Sequence, residues 1–176
     1  MQETEKALVV AEIMDNIRRV FQAVQEYSKK AKRETGLTGP QLWAIKIIAQ
    51  KAPISGSELA RRMYLHPATV VGIVDRLEGC GLVLRTRSRE DRRVVQITLT
   101  EQGKELVARS PEVAHGLLVK GLETLDKERL LSMSSQLEQL VEILGAQEIP
   151  PKLLLSQEVN LASAHNPGPG NAPDEE

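Results

Sequence analysis

Residues 82–99, LVLRTRSREDRRVVQITL, join two apolar arms through a turn crowded with arginine. Arg85, Arg87, Arg89, Arg92 and Arg93 stand there against only Glu90 and Asp91. Like charges held close repel one another, and a hairpin needs none of them to fold. An anionic partner offsets that cost, and nucleic-acid phosphate suits a cluster of guanidinium forks. Arg89, Arg92 and Arg93 occupy the tip, where a guanidinium fits the negative potential of a minor groove. Asp91 braces the tip by pairing with an arginine, since a carboxylate near phosphate is repelled. Arg85 and Arg87 lie on the first arm, where phosphate contact or plain solvation is expected.

Upstream, Ser55–Gly79 reads as two short helices and a tight turn. Ser55-Gly-Ser-Glu58 matches the S-x-x-E capping box that opens a helix. Leu65-His66-Pro67 is the turn, with His66 at the N-cap of the next helix and Pro67 at its first position. That helix carries Val70, Ile73, Val74 and Leu77 on one side. The other side holds Pro67, Ala68, Thr69, Val71, Gly72, Asp75 and Arg76. A helix with small residues at its N-terminus can approach base edges closely: Thr69 can hydrogen-bond, and Ala68 and Val71 can meet thymine methyls. The candidate contacts are therefore Ser55, His66, Pro67, Ala68, Thr69, Val71, Gly72, Arg76, Arg89, Arg92 and Arg93. A helix pair buried in an ordinary core is the plainer reading of this segment alone. The basic hairpin directly after it favours a helix-turn-helix followed by a wing.

The flanking elements must hold this reader in place. A first helix over 4–33 carries Ala7, Val10, Met14, Ile17, Phe21 and Val24 in steps of three and four, widened by Ile13, Val20 and Tyr27. So long a stripe outruns a small domain and is expected to cross a subunit interface. Thr38 and Pro40 start a second helix running to about Gln50. In the second hairpin arm Val95, Ile97 and Leu99 alternate with Val94, Gln96 and Thr98, a half-buried strand. Thr100 caps a fifth helix, which Ser110-Pro111 kinks or interrupts because proline loses a helical hydrogen bond. Asp126 caps a sixth, with Leu130, Met133, Leu137, Leu140 and Leu144 as its seam. The expected fold is mainly α with a small β-hairpin wing: a winged helix-turn-helix of six helices. The expected segments are 1–37 (dimerisation helix), 38–100 (DNA-binding domain), 101–145 (C-terminal helices) and 146–176 (a largely flexible extension).

The net charge of −1 excludes a globally basic nucleic-acid binder, so any such footprint is local. From Ser55 to Arg93 eight basic side chains face five acidic ones, which leaves the rest of the chain acidic. One cysteine, Cys80, permits no intrachain disulfide, and three scattered histidines with it make no metal site. No cofactor is expected. Neither a signal peptide nor a membrane span is apparent, so the expected location is cytoplasmic. No nucleophile–base pair or phosphate loop supports an enzyme.

Residues 55–103 resemble the MarR family, the multiple-antibiotic-resistance regulators. The resemblance rests on Ser57-Glu-Leu-Ala60, Thr69-Val70, Val74-Asp-Arg-Leu-Glu78, Gly81-Leu-Val83, Asp91-Arg-Arg93 and Leu99-Thr-Glu-Gln-Gly103. It spans about 5–145 in helix order and is close over 38–105. It implies a homodimer on double-stranded DNA, held by the first helix and by C-terminal dimerisation helices over 101–145, repressing at a pseudo-palindromic operator, with Asp91 bracing the wing and Arg93 entering the minor groove. Val71 and Gly72 stand where many members carry a polar or basic residue, and the tail after about Gly145 has no counterpart in the common core. The resemblance also implies a small anionic aromatic effector, for which Met14, Phe21, Tyr27, Trp43 and Tyr64 are candidates. Core or dimer-interface positions are the weightier reading of those five. Two alternatives differ in class: a winged-helix protein-interaction module without DNA, and an oxidant-sensing repressor acting through Cys80. A thiolate at a helix C-terminus is disfavoured by the helix dipole, which counts against the latter.

Overall fold

The computed structural model describes residues 2–88 and 93–150; Arg89, Asp91 and Arg92 and most of the expected extension lie outside them. The described residues form two units, one of residues 2–42 with 110–150 and one of residues 43–88 with 93–109. Seven helices and a three-stranded sheet are found among them.

The first unit is helical. Helix α1 runs Gln2–Thr35, and α2 begins at Gly39 and continues to Lys51 in the second unit. Thr38 holds the N-cap place: its carbonyl accepts from Leu42 N–H (2.9 Å), and Gln41 Oε1 reaches back to accept from Thr38 N–H (3.0 Å). Gln41 at N3 thus plays the part that glutamine takes in a capping box. Helices α6 (Ala114–Leu122) and α7 (Lys127–Ile143) complete the unit. The Asp126 side chain accepts from Arg129 N–H at 2.9 Å, the expected cap of α7. Six helices were expected and seven are present, because the chain leaves helix at Arg109 and re-enters it only after Val113. Proline at 111 interrupts the fifth helix instead of bending it. In consequence His115 sits in the first turn of α6. Burial pushes its imidazole pKa below the ordinary value.

The second unit is the small α/β body. Strands β1 (Ile54–Ser55), β2 (Val83–Arg87) and β3 (Val95–Leu99) form an antiparallel sheet in the order β1-β3-β2. Ile54 lies opposite Ile97, and Val83 opposite Leu99. Helices α3 (Gly56–Met63) and α4 (Pro67–Gly79) bury Leu59, Ala60 and Met63 on one, and Val70, Ile73, Val74 and Leu77 on the other. With Leu82, Val83 and Ile97 these make the core of the unit. Val95 was expected to point inward with Ile97 and Leu99, yet it is exposed. The two residues of β1 end opposite Gln96, one short of Val95, which lines an open cleft instead.

The foot of the wing is tied to α5 (Glu101–Ala108). The Thr100 hydroxyl donates to Gly81 C=O (2.7 Å) and accepts from Gly103 N–H (3.0 Å), while Thr100 N–H donates to Leu82 C=O (3.1 Å). A Cβ added at Gly103 would collide with the Leu82 carbonyl. The Leu99-Thr-Glu-Gln-Gly103 run is therefore a cap plus a close approach that only glycine allows.

Candidate nucleic-acid interface

The helix pair forms as its local sequence dictates. Ser55 Oγ accepts from Glu58 N–H (3.2 Å), starting α3. The other half of the capping box is not made: the Glu58 carboxylate binds Arg61 Nε (2.9 Å) and Nη2 (2.7 Å), and Arg62 Nε (2.7 Å). The Arg61 hydrogen bond holds the Glu58 pKa below its ordinary value against some burial, with Arg62 adding to it. Helix α3 ends at Tyr64, whose φ of 53° is left-handed, a conformation more often given to glycine.

Helix α4 opens with His66 at the N-cap, where Nδ1 accepts from Ala68 N–H (3.3 Å), and with Pro67 in the first turn. Its two sides then separate. Val70, Ile73, Val74 and Leu77 face the core, whereas His66, Pro67, Ala68, Val71 and Arg76 are exposed and Thr69 and Gly72 are half-buried. Val71 keeps 55% of its surface in solvent. An apolar side chain left open at the N-terminal end of such a helix is the arrangement that thymine methyls reward. Every candidate contact on α4 thus lies on or beside one exposed face. Ser55 is half-buried and spends its hydroxyl on the cap, with Ser57 Oγ at 3.1 Å.

The wing continues this surface. Ser88 N–H donates to Val94 C=O (2.9 Å), closing the hairpin below the tip. Arg87 and Arg93 are exposed. Arg85 does something else. Its Nη1 lies 2.6 Å from Asp75 Oδ1 and 2.7 Å from Glu78 Oε2, and Nη2 lies 3.4 Å from Val71 C=O. Its own backbone N–H donates to Glu78 Oε1 (3.2 Å). Burial works against the charged guanidinium, but the hydrogen bonds to Glu78 and Asp75 outweigh it and hold the pKa above the ordinary arginine value. The expectation of phosphate contact or solvation for Arg85 is corrected: the side chain ties the wing strand to α4. The missed signal was the carboxylate pair Asp75 and Glu78, three apart and so on one helix face. Arg61, Arg62 and Arg85 all face carboxylates of their own unit, whereas Arg76 and Arg87 are exposed.

Between α4 and the wing lies an open cleft of about 390 Å³, floored by Val70, Val74 and Ile97. The five residues considered for an effector divide between the units. Met14, Phe21 and Tyr27 lie exposed on α1, Phe21 with 58% of its surface in solvent. In the other unit Tyr64 is exposed, whereas Trp43 retains only 6% and belongs to the core. Cys80 is exposed at the C-cap of α4, the carbonyl end of the helix. No group of three or more potential metal ligands occurs among the described residues.

This geometry has close counterparts. The sequence is 30% identical over 95 residues to the HTH-type transcriptional repressor MdtR of Bacillus subtilis, covering 54% of this chain but only 61% of MdtR, less than two thirds of its length. It is 30% identical over 147 residues to the HTH-type transcriptional regulator YhbI of the same organism, covering 81% of this chain and 95% of YhbI. A crystal structure of a MepR-like protein complexed with pseudoligands superposes with a TM-score of 0.52 at 28% identity, over 78% of this chain and 98% of that one. The sequence pattern of the MarR family matches residues 37–95, the stretch that contains the helix pair and most of the wing. Since nearly all of YhbI aligns and the family pattern lies across the exposed helix face and its wing, the chain belongs to the MarR family.

Proposed function

We propose that this protein is a homodimeric, sequence-specific DNA-binding transcriptional regulator that represses at a pseudo-palindromic operator and is relieved by a small-molecule effector. The observation that carries the reading is the division of α4. Its core face is buried by four aliphatic side chains, and its N-terminal outer face stays open beside a wing that presents Arg87 and Arg93. In this reading Pro67, Ala68, Thr69, Val71 and Gly72 meet the major groove, Arg76 and His66 the backbone, and Arg93 with Arg89 and Arg92 the minor groove. Asp91 braces the tip.

The homodimer is supported by the first unit, in which α6 and α7 bury no residue in the single chain. Repression is supported by the relative MdtR, which is a repressor. An effector is supported by the MepR-like neighbour, which was crystallised with pseudoligands; the exposed rings Phe21, Tyr27 and Tyr64 offer aromatic surface for one. No described helix is long and apolar enough to cross a membrane, and a regulator of transcription is placed in the cytoplasm.

Selection of bound duplexes from a random pool with the purified protein tests the reading. The expected product is a pseudo-palindrome with half-sites roughly 34 Å apart, bound more weakly as salt rises. Arg93→Ala should then lower specific affinity by about 1–3 kcal/mol in a shift assay. Recovery of no enriched duplex, with no salt-sensitive binding, overturns the proposal in favour of a protein-interaction module.

A further inference from the structure

We infer that Arg85 is a positioning residue: clamped by Asp75 and Glu78, it fixes the wing at one distance from α4, so that helix and tip enter neighbouring grooves in register. The inference rests on the DNA-binding reading and says which side chains set the geometry of that site. Arg85 is on the inward side of β2, two residues after buried Val83 and directly opposite Ile97. Its side chain is 26% exposed, against 58% for Asp75 and 39% for Glu78. One guanidinium reaches both carboxylates and the Val71 carbonyl, and Glu78 also accepts the Arg85 backbone N–H. An arginine with its fork so committed is not available to a phosphate.

The cleft explains why such a link is needed. Arg85 and Asp75 line it together with Val70, Val71 and Val95, so the outer part of the wing is not packed solidly against the helix. The tie at that level is ionic. The same geometry accounts for two carboxylates on the outer half of a helix that is to approach polyanionic DNA. Left bare they would repel phosphate; shared by one arginine, which offsets half of their charge, they hold the reader's two parts together.

The test turns on a sign. Asp75→Asn with Glu78→Gln removes two negative charges from the DNA-facing unit, so Coulomb attraction alone would tighten binding to any duplex. The clamp demands the opposite for the specific site. Affinity of the full-length variant for a duplex selected with the wild type should fall roughly tenfold or more, while affinity for a random duplex of equal length holds or rises. Arg85→Gln should give the same loss of selectivity with an unchanged slope of log affinity against log salt, whereas a lost phosphate contact would reduce that slope by about 1. Arg85→Lys, a single point donor, should fall between. Should Arg85→Gln not fold, judged by its thermal midpoint, the carboxylate variants still decide the matter. Hydrogen exchange on the free protein reads the clamp without DNA: amides of β2 and β3 should exchange faster in Asp75→Asn/Glu78→Gln, with those of α3 unchanged. Carboxylate variants that bind the selected duplex as tightly as wild type, or a wing whose exchange does not change, overturn the inference. A wild type that binds no duplex overturns the DNA reading itself.

Discussion

The two units of this chain handle apolar surface in opposite ways. In residues 43–109 the stripes of α3 and α4 are met by Leu82, Val83 and Ile97 of the same unit, and Leu59, Ile73 and Leu77 are fully buried. In the other unit α7 exposes Leu131, Met133, Leu137, Val141 and Ile143, and α1 exposes Leu8, Val10, Phe21 and others. A contiguous apolar face of that extent is costly to leave in water. One unit is covered by its own chain, and the open face of the other is where the proposed homodimer would bury a second copy. The closed unit has an exception of its own. Val71, Val94 and Val95 are the exposed valines among its described residues, and Val71 and Val95 line the cleft between α4 and the wing.

The comparison breaks first, and hardest, at Leu137→Glu. An uncompensated buried carboxylate costs roughly 3–5 kcal/mol, and a two-fold interface would bury two, so dimerisation should weaken by a thousandfold or more. Sedimentation equilibrium would show monomer, with the fold of the other unit retained by circular dichroism; an undisturbed oligomer would mean that this face is not the interface. Next comes Leu77→Ala in the closed unit. With no exposure to lose, it should cost about 2–5 kcal/mol in denaturant unfolding without altering the oligomer. Gly103→Ala should follow at about 1–3 kcal/mol, because the new methyl must displace the Leu82 carbonyl that anchors the wing. A neutral result there would show that the base of the wing gives way easily.

The smallest effect is one of pH, in the helical unit. His115 has its folded pKa depressed by burial below the ordinary 6.5. Below that value the unfolded chain binds the proton more readily than the folded one. Stability is therefore complete above about pH 6.5 and declines as pH falls towards the folded pKa. Thermal midpoints of wild type and His115→Gln across pH 5–8 should converge in shape only if another group dominates; the expected outcome is a flatter acid limb in the variant.

Much of the fold was legible residue by residue. Ser55, His66, Thr100 and Asp126 cap the helices they were assigned to, and the buried side of α4 matches its period. The exposed face of α4 was legible for the same reason, since whatever does not face the core must face outward. Three readings were not available in that way. Whether Pro111 bends or ends a helix depends on what the following residues can pack against. Whether Val95 is covered depends on how far β1 extends. Arg85 read as one more basic side chain because its partners lie on a different element.

Features written within one or two helical turns can be read off the chain alone: cap residues, the period of each apolar face, the break at proline, and the excess of arginine after the helix pair. These follow from hydrogen bonds and side-chain directions that span at most four residues. That Arg85 is committed to carboxylates of its own unit follows from the packing of one element on another. Arg85 meets Asp75 ten residues back, and Gly103 meets Leu82 across a strand pair. Such contacts depend on where the sheet lays one element against another, and no spacing along the chain encodes that distance.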